Sequence, residues 1–134
     1  MAKNTQGNEI PEIIQKLNGS TSIVLTDENG VEYVAKYPRT LVRDMQRKGV
    51  TVEKAQEYLS DGTMDGVETF LKEFVLPAFN VEQKMTLEQL EDVFEDIEDP
   101  SEVIEVLMAL YSLPVYALLG KKDPTKTRAK FRLV

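Results

Sequence analysis

The side chains in this sequence that could do chemistry are mainly carboxylates, because the chain has neither cysteine nor histidine. The densest group of acids is EDVFEDIEDPSE, residues 91–102. Two carboxylates can work as an acid and base pair when a cleft holds them together and drives their pKa values apart. Here the acids are spaced around an apolar stripe of Leu87, Leu90, Phe94 and Ile97. We therefore predict a solvated helix face, without a catalytic pair or a bound metal ion.

A second segment, DGTMDG, resembles the opening of a calcium-binding loop. Asp61, Thr63 and Asp65 alternate, and Gly66 occupies the position of the sharp turn. The position that should offer a bidentate glutamate is Lys72, and the intervening residues continue a helical pattern. The segment is therefore predicted to be a capped turn between two helices.

The residue types that are missing exclude most familiar catalytic chemistry. Without cysteine and histidine there are no disulfides, thiolate nucleophiles, imidazole bases or usual zinc ligand sets. The sequence also contains no glycine-rich phosphate loop and no G-x-S-x-G motif. We predict that the protein is not an enzyme and has no cofactor. A carboxylate or metal enzyme is the alternative, which a calcium or magnesium titration followed by thermal melting would expose.

Charge is distributed unevenly along the chain, whose net charge is −7. Residues 82–105 hold ten acids against one lysine, whereas residues 121–134 hold six bases against one aspartate. The basic tail could bind nucleic acid, but the acidic body would repel the same polyanion, and only Phe131 could stack on a base. Nucleic acid is thus an unfavoured partner. The bases that could contact an acidic neighbour instead are Lys121, Lys122, Lys126, Arg128, Lys130 and Arg132.

The chain length of 134 residues suits one domain. Residues 1–9 are predicted to be a disordered leader, residues 10–120 a single globular domain, and residues 121–134 a basic C-terminal tail. Within the domain, SIVLTDENGVEYVAKY predicts a β-hairpin around an Asn29-Gly30 turn. The remaining patterns have a helical period. The predicted fold class is α+β, mostly α, with an N-terminal β-hairpin packed on a bundle of five or six short helices.

Capping residues and prolines predict where the helices begin and end. A first helix is expected over residues 11–19, with a left-handed stop at Gly19. Pro77 and Pro114 are each predicted to break or bend a helix. The predicted starts are the cap at Thr51, the capping boxes Asp65–Glu68 and Thr86–Gln89, and the Asp99–Pro100 pair.

The most apolar part of the chain is residues 106–119, which precede the basic tail. Burial of their ten large apolar side chains would contribute on the order of 15 to 30 kcal/mol, more than the roughly 5 to 15 kcal/mol net stability of a domain. Interruption by Ser112 and Pro114 predicts that the segment is too short to span a membrane. The segment is either an ordinary core helix, or in part a groove or oligomer contact.

The order of predicted elements along the chain is distinctive. A strand-rich start, IVLTDENGVEYVAKY, passes directly into the helix PRTLVRDMQRKG. Short amphipathic helices follow, then an acidic helix and a short charged tail. This order resembles that of the tail assembly chaperones of long-tailed bacteriophages and prophages. The resemblance covers roughly residues 20–134 and rests on element order, size and charge.

This resemblance implies a non-enzymatic protein of the host cytoplasm that is absent from the finished virion. Members keep the long, apolar, helical tape measure protein soluble, help recruit tail tube subunits, and self-associate. Many are made in two versions by a ribosomal frameshift, which the Lys121-Lys122 pair would permit if the preceding glycine codon ends in A. The residues expected to form the acceptor or oligomer surface are Phe70, Phe74, Leu107, Leu110, Tyr111 and Leu118.

The main alternative is another interaction protein, such as a small helical adaptor or phage regulatory factor that binds one partner stably. Gene context separates the two, because an overlapping downstream frame followed by a very long helical gene favours the chaperone. Neither interpretation fixes the oligomeric state.

Overall fold

The computed structural model describes Leu17 and residues 19–119. Two strands come first, β1 (Ser22–Thr26) and β2 (Glu32–Lys36), followed by α1 (Arg39–Arg47) and α2 (Val52–Ser60). A continuous helix, α3, runs over residues 64–79. The last two helices are α4 (Leu87–Asp96) and α5 (Pro100–Leu118). Helices hold 62% of the described residues and strands 10%, so the predicted class of α+β, mostly α, with a hairpin and five helices, is confirmed.

The hairpin pairs its two strands antiparallel, with Ile23 opposite Ala35. Its loop differs from the predicted two-residue turn. The Asp27 N–H donates to the Val31 carbonyl, which leaves residues 28–30 as a three-residue loop with Gly30 at a φ of 83°. The Asp27 carboxylate accepts hydrogen bonds from the N–H groups of Asn29 and Val31 at 2.9 Å each. These hydrogen bonds from the Asp27 carboxylate stabilise the loop. The loop therefore begins at residue 28, one residue earlier than the predicted turn.

The helix starts follow the predicted capping residues with one exception. Thr51, Thr86 and Asp99 each accept a hydrogen bond from a backbone N–H in the first turn, and Thr86 with Gln89 forms a complete capping box. In α3, however, the cap is Thr63, whose hydroxyl accepts from the Gly66 N–H. The predicted Asp65–Glu68 capping box is therefore wrong, because a threonine two residues earlier already satisfies the first turn.

Of the predicted break or bend, the break is absent at both prolines, because each helix continues past its proline. Helix α3 has a π-helical segment, Leu71–Val75, just before Pro77 and continues to Phe79. Proline has no backbone N–H and cannot donate a helical hydrogen bond. The wider π-helical turn lets the helix continue without that bond. Pro114 lies inside α5, which stays one helix of 19 residues. Because α5 contacts α1, α2 and both strands, packing offsets the cost of its interior proline.

Among the described residues, α5 is the one helix long and apolar enough to cross a membrane by length and composition alone. A single such helix is weak evidence, since the core helix of a soluble protein passes the same test. The middle of α5 packs in the hydrophobic core, where Leu107, Ala109, Leu110 and Tyr111 are buried. The absence of a membrane span stays a prediction.

Three predicted segments fall wholly or mostly outside the described residues. These are the leader at residues 1–9, the basic tail at residues 121–134 and most of the helix over residues 11–19. Of that last segment the structure describes Leu17 and Gly19, so the helix itself stays a prediction. Leu17 is buried in the core, and Gly19 has the left-handed φ of 82° expected of a helix stop.

Candidate functional site

The C-terminal turns of α5 carry apolar side chains that the rest of the described structure leaves in solvent. Leu118 is 65% exposed and Leu119 is 71% exposed. Val115 is half-buried and lies three and four residues before them, so the three side chains share one side of the helix. We call Val115, Leu118 and Leu119 the α5 end.

The α5 end continues the stripe by which α5 enters the core. Leu107 and Tyr111 are four residues apart and buried, and Leu118 follows Tyr111 by seven residues, which keeps it close to the same line along the helix. A helix of this length spans about 28 Å. The stripe is therefore buried in the middle of the helix and exposed to solvent in the last turns. The exposed part offers an apolar surface that another apolar surface could cover.

The sequence named six candidate surface residues, and the structure divides them. Leu118 is exposed as expected. The other five are at most 2% exposed and belong to the core, so they offer no surface to a partner in this fold. The residues concerned are Phe70, Phe74, Leu107, Leu110 and Tyr111. The physical reason is that the hairpin and α2 cover the faces of α3 and α5 that carry them.

Four aromatic rings form the contact between the hairpin, α3 and α5. Phe74 stacks on Phe70 with ring centroids 5.6 Å apart and meets Tyr111 at 5.0 Å. Tyr37, which follows β2, lies 5.6 Å from Phe74 and meets Tyr111 edge-on at 5.5 Å. These contacts bury large apolar areas of the hairpin, α3 and α5 together, so the cluster stabilises the fold. It also fixes the position of Tyr111, the last buried residue before the α5 end.

The two phenols of this cluster are hydrogen-bond donors rather than acid or base groups. The Tyr37 hydroxyl donates to the Phe74 carbonyl at 2.7 Å, and the Tyr111 hydroxyl donates to the Val50 carbonyl at 2.6 Å. Burial, and then the neighbouring Tyr111, raise the pKa of Tyr37 well above its ordinary value. Burial also raises the pKa of Tyr111. Both hydroxyls therefore stay protonated at neutral pH.

The acidic helix lies as the sequence predicted, with Glu88, Asp92, Glu95 and Asp96 exposed on α4. Between this helix and the hairpin loop is a cleft of about 160 Å³, whose lining includes Asp27, Glu28, Asp92 and Asp96. Within residues 19–119, no three acidic side chains are grouped so that they could hold a metal ion. We therefore describe the cleft as a negatively charged surface and propose neither a ligand nor a reaction for it.

One pair of carboxylates is close enough to influence protonation. Partial desolvation, and then the adjacent Glu68 of α3, raise the pKa of Glu91 on α4 above its ordinary value. Neighbouring Asp92 and Glu88 act in the same direction. Both glutamates lie toward the surface, so the pair does not enclose a substrate site.

The DGTMDG segment is the capped turn that its helical continuation predicted. Thr63 caps α3, and Gly62 takes a φ of 66° between α2 and α3. Gly66 has a role that the sequence did not reveal. A Cβ at this position would lie 2.1 Å from the Tyr58 carbonyl oxygen of α2, so glycine permits the two helices to approach closely.

The six basic residues of the predicted tail lie outside the described part of the chain. Sequence reasoning also left Val115 and Leu119 out of the candidate surface. The signal that could have found them is their spacing of three and four residues around Leu118, in a helix longer than the elements that cover it.

A family model described as a domain of unknown function, DUF5055, matches residues 1–133. No curated protein and no solved structure matches the chain.

Proposed function

The chain belongs to the DUF5055 family, whose function is unknown, and from this premise we propose that it is a non-enzymatic chaperone that binds an apolar helix of another protein. The observation that carries this proposal is the α5 end, where Leu118 and Leu119 are exposed at the end of a helix whose middle is buried in the core. An apolar stripe that runs out of cover is the kind of surface on which an amphipathic partner helix docks.

Charge supports a chaperone in particular. The chain has a net charge of −7, and the acids of α4 lie exposed on the surface. Such a charge keeps a protein soluble while it holds an apolar partner. Together with the element order, this charge favours a tail assembly chaperone, with the tape measure protein as the apolar partner, the tail tube protein as a further partner, and the host cytoplasm as the place of action.

The test is co-expression with an apolar helical segment of a tape measure protein, with the soluble fraction of that segment as the readout. We expect the wild-type chain to raise the soluble fraction, because the partner helix covers Leu118 and Leu119. Replacement of both by glutamine should abolish the gain and leave the melting temperature unchanged, since both side chains are exposed.

A matched control carries Met64→Gln and Val81→Gln, which remove two exposed apolar side chains outside α5 without a change in charge. This control should solubilise the partner as well as the wild type does. If the wild type leaves the soluble fraction unchanged, or if the control and the α5 variant lose activity equally, the proposal is wrong.

The alternative is a helical adaptor or phage regulatory factor that uses the same surface to bind one partner stably. The two differ in lifetime and in gene context. A chaperone releases its partner during tail assembly and is encoded beside a very long helical gene, whereas an adaptor stays in the complex that it forms.

A further inference from the structure

The two outer edges of the hairpin differ in whether other residues cover them. On β2, the side-chain amide of Gln83 bonds both backbone groups of Val34: the Val34 N–H donates to Oε1 at 3.0 Å, and Nε2 donates to the Val34 carbonyl at 3.0 Å. Beside it, Lys36 pairs with Glu82 at 2.7 Å. The outer edge of β2 is therefore covered and charged, which are two ways in which proteins prevent a strand from being added.

Within residues 19–119, nothing covers the outer edge of β1 or places a charge on it. Val34 turns its backbone groups toward Gln83, so the Val24–Val34 pair is a non-hydrogen-bonded pair of the ladder. The N–H and C=O of Val24 then point away from β2, as do those of Ser22 and Thr26. Among residues 19–119, no group bonds this edge. The strand SIVLT contains no charge and no proline.

The strand is also complementary to an inverted copy of itself. In antiparallel pairing centred on Val24, Val24 lies opposite Val24 of the second copy, Ile23 opposite Leu25, and Ser22 opposite Thr26. Aliphatic side chains meet aliphatic side chains, and hydroxyls meet hydroxyls. The acid that follows the strand, Asp27, falls opposite the neutral Thr21. Two copies of an acidic protein can therefore pair here without like charges opposite each other.

We propose that β1 pairs with β1 of a second copy of this chain about a two-fold axis at Val24, which joins the two hairpins into a four-stranded sheet. A two-fold axis makes such an interface self-complementary, and antiparallel pairing supplies about six hydrogen bonds between the outward groups of the two strands. A contact of this size is small, so the dimer forms and dissociates reversibly with concentration. The inference does not depend on the proposed function, because the α5 end has no part in it.

The experiment is sedimentation equilibrium of the full chain over a range of concentrations. The wild type should show a monomer–dimer equilibrium. Val24→Lys should weaken it by about tenfold or more, because two lysines would face each other across the axis. Val31→Lys is the matched control, since Val24 and Val31 are each 48% exposed and the change in charge is the same. This control should associate like the wild type.

A charge swap gives the sharper readout. Val24→Glu alone should weaken association as Val24→Lys does, whereas an equimolar mixture of Val24→Lys and Val24→Glu should form a heterodimer of nearly wild-type affinity. Only a position that faces its own copy behaves in this way. Circular dichroism melts would establish that each variant is folded, which the exposure of Val24 leads us to expect.

Three results would overturn the inference. The first is a wild type that stays monomeric at the highest concentration. The second is a dimer whose affinity Val24→Lys and Val31→Lys change equally. The third is a mixture of the two Val24 variants that fails to associate although both variants are folded.

Discussion

Single hydrogen-bond donors and acceptors link the elements of this small protein across long stretches of sequence. The Tyr37 hydroxyl donates to the Phe74 carbonyl, and the Tyr111 hydroxyl donates to the Val50 carbonyl, so each phenol bonds a backbone group of a segment distant in sequence. Within residues 19–119, no buried side-chain nitrogen or oxygen is left without a partner. Removal of one such donor would leave a buried carbonyl unsatisfied, which costs more than the bond itself contributes.

Tyr37→Phe is therefore expected to lower the free energy of unfolding by about 1 to 3 kcal/mol. The ring contacts with Phe74 and Tyr111 remain, so the loss isolates the hydroxyl. Urea denaturation measures the change. Tyr33→Phe is the control, because that hydroxyl is only part-buried and meets Asp27 at 3.5 Å. Equal effects of the two substitutions would contradict the role given to Tyr37.

At the scale of elements, the helices of the bundle are fixed by local caps and by a few close approaches. Thr51 and Thr63 hold the starts of α2 and α3, and the left-handed Gly62 turns the chain between them. The two helices then meet where Gly66 lies under the Tyr58 carbonyl. The pair can pack at this distance only because position 66 has no Cβ.

Gly66→Ala should force α2 and α3 apart and destabilise the fold by about 1 to 3 kcal/mol, although alanine is the better helix former. The added Cβ would lie 2.1 Å from a backbone oxygen, which cannot move without its helix. Thermal melting measures the loss. Met64→Ala in the same helix is the control, because Met64 is exposed and should tolerate the change. A stabilised Gly66→Ala variant would show that the helices do not approach this closely.

At the scale of the whole molecule, acidity is a property of the surface and the apolar core lies beneath it. The net charge is −7, and the hairpin loop and α4 bring acids together along one cleft. Partial desolvation, and then the like charge of neighbouring Glu68, disfavour ionisation of Glu91 and raise its pKa. The same charge opposes association of copies except where the surface is neutral, as it is along β1.

The stability of the protein should therefore depend on pH through Glu91. A carboxyl whose pKa is raised by folding stabilises the fold while it is protonated, and this contribution is lost as the pH rises through the folded-state pKa. Glu91→Gln should thus be more stable than the wild type at pH 7, and the difference should vanish below about pH 4. Thermal melts from pH 3 to pH 8 measure it. Glu95→Gln on the same helix is the control for removal of one negative charge, and an equal gain in both variants would contradict the role given to Glu91.

The sequence by itself determined the local features of the fold. The hairpin, the caps at Thr51, Thr86 and Asp99, and the outward placement of the acids on α4 were all predictable. Each depends on side chains and backbone groups only a few residues apart, or on the periodicity of one element. Such interactions can be predicted from the sequence, because residues that are neighbours in sequence are necessarily neighbours in space.

Only the tertiary structure decided which apolar faces are covered. Periodicity shows that Phe74, Tyr111 and Leu118 lie on apolar faces, but not that the hairpin buries the first two and leaves the third exposed. The Gln83 contact with Val34, across 49 residues, was equally invisible, as was the continuation of α5 through Pro114. The reason is that burial and edge protection depend on what a distant segment brings to a surface, and a residue pattern describes only its own element.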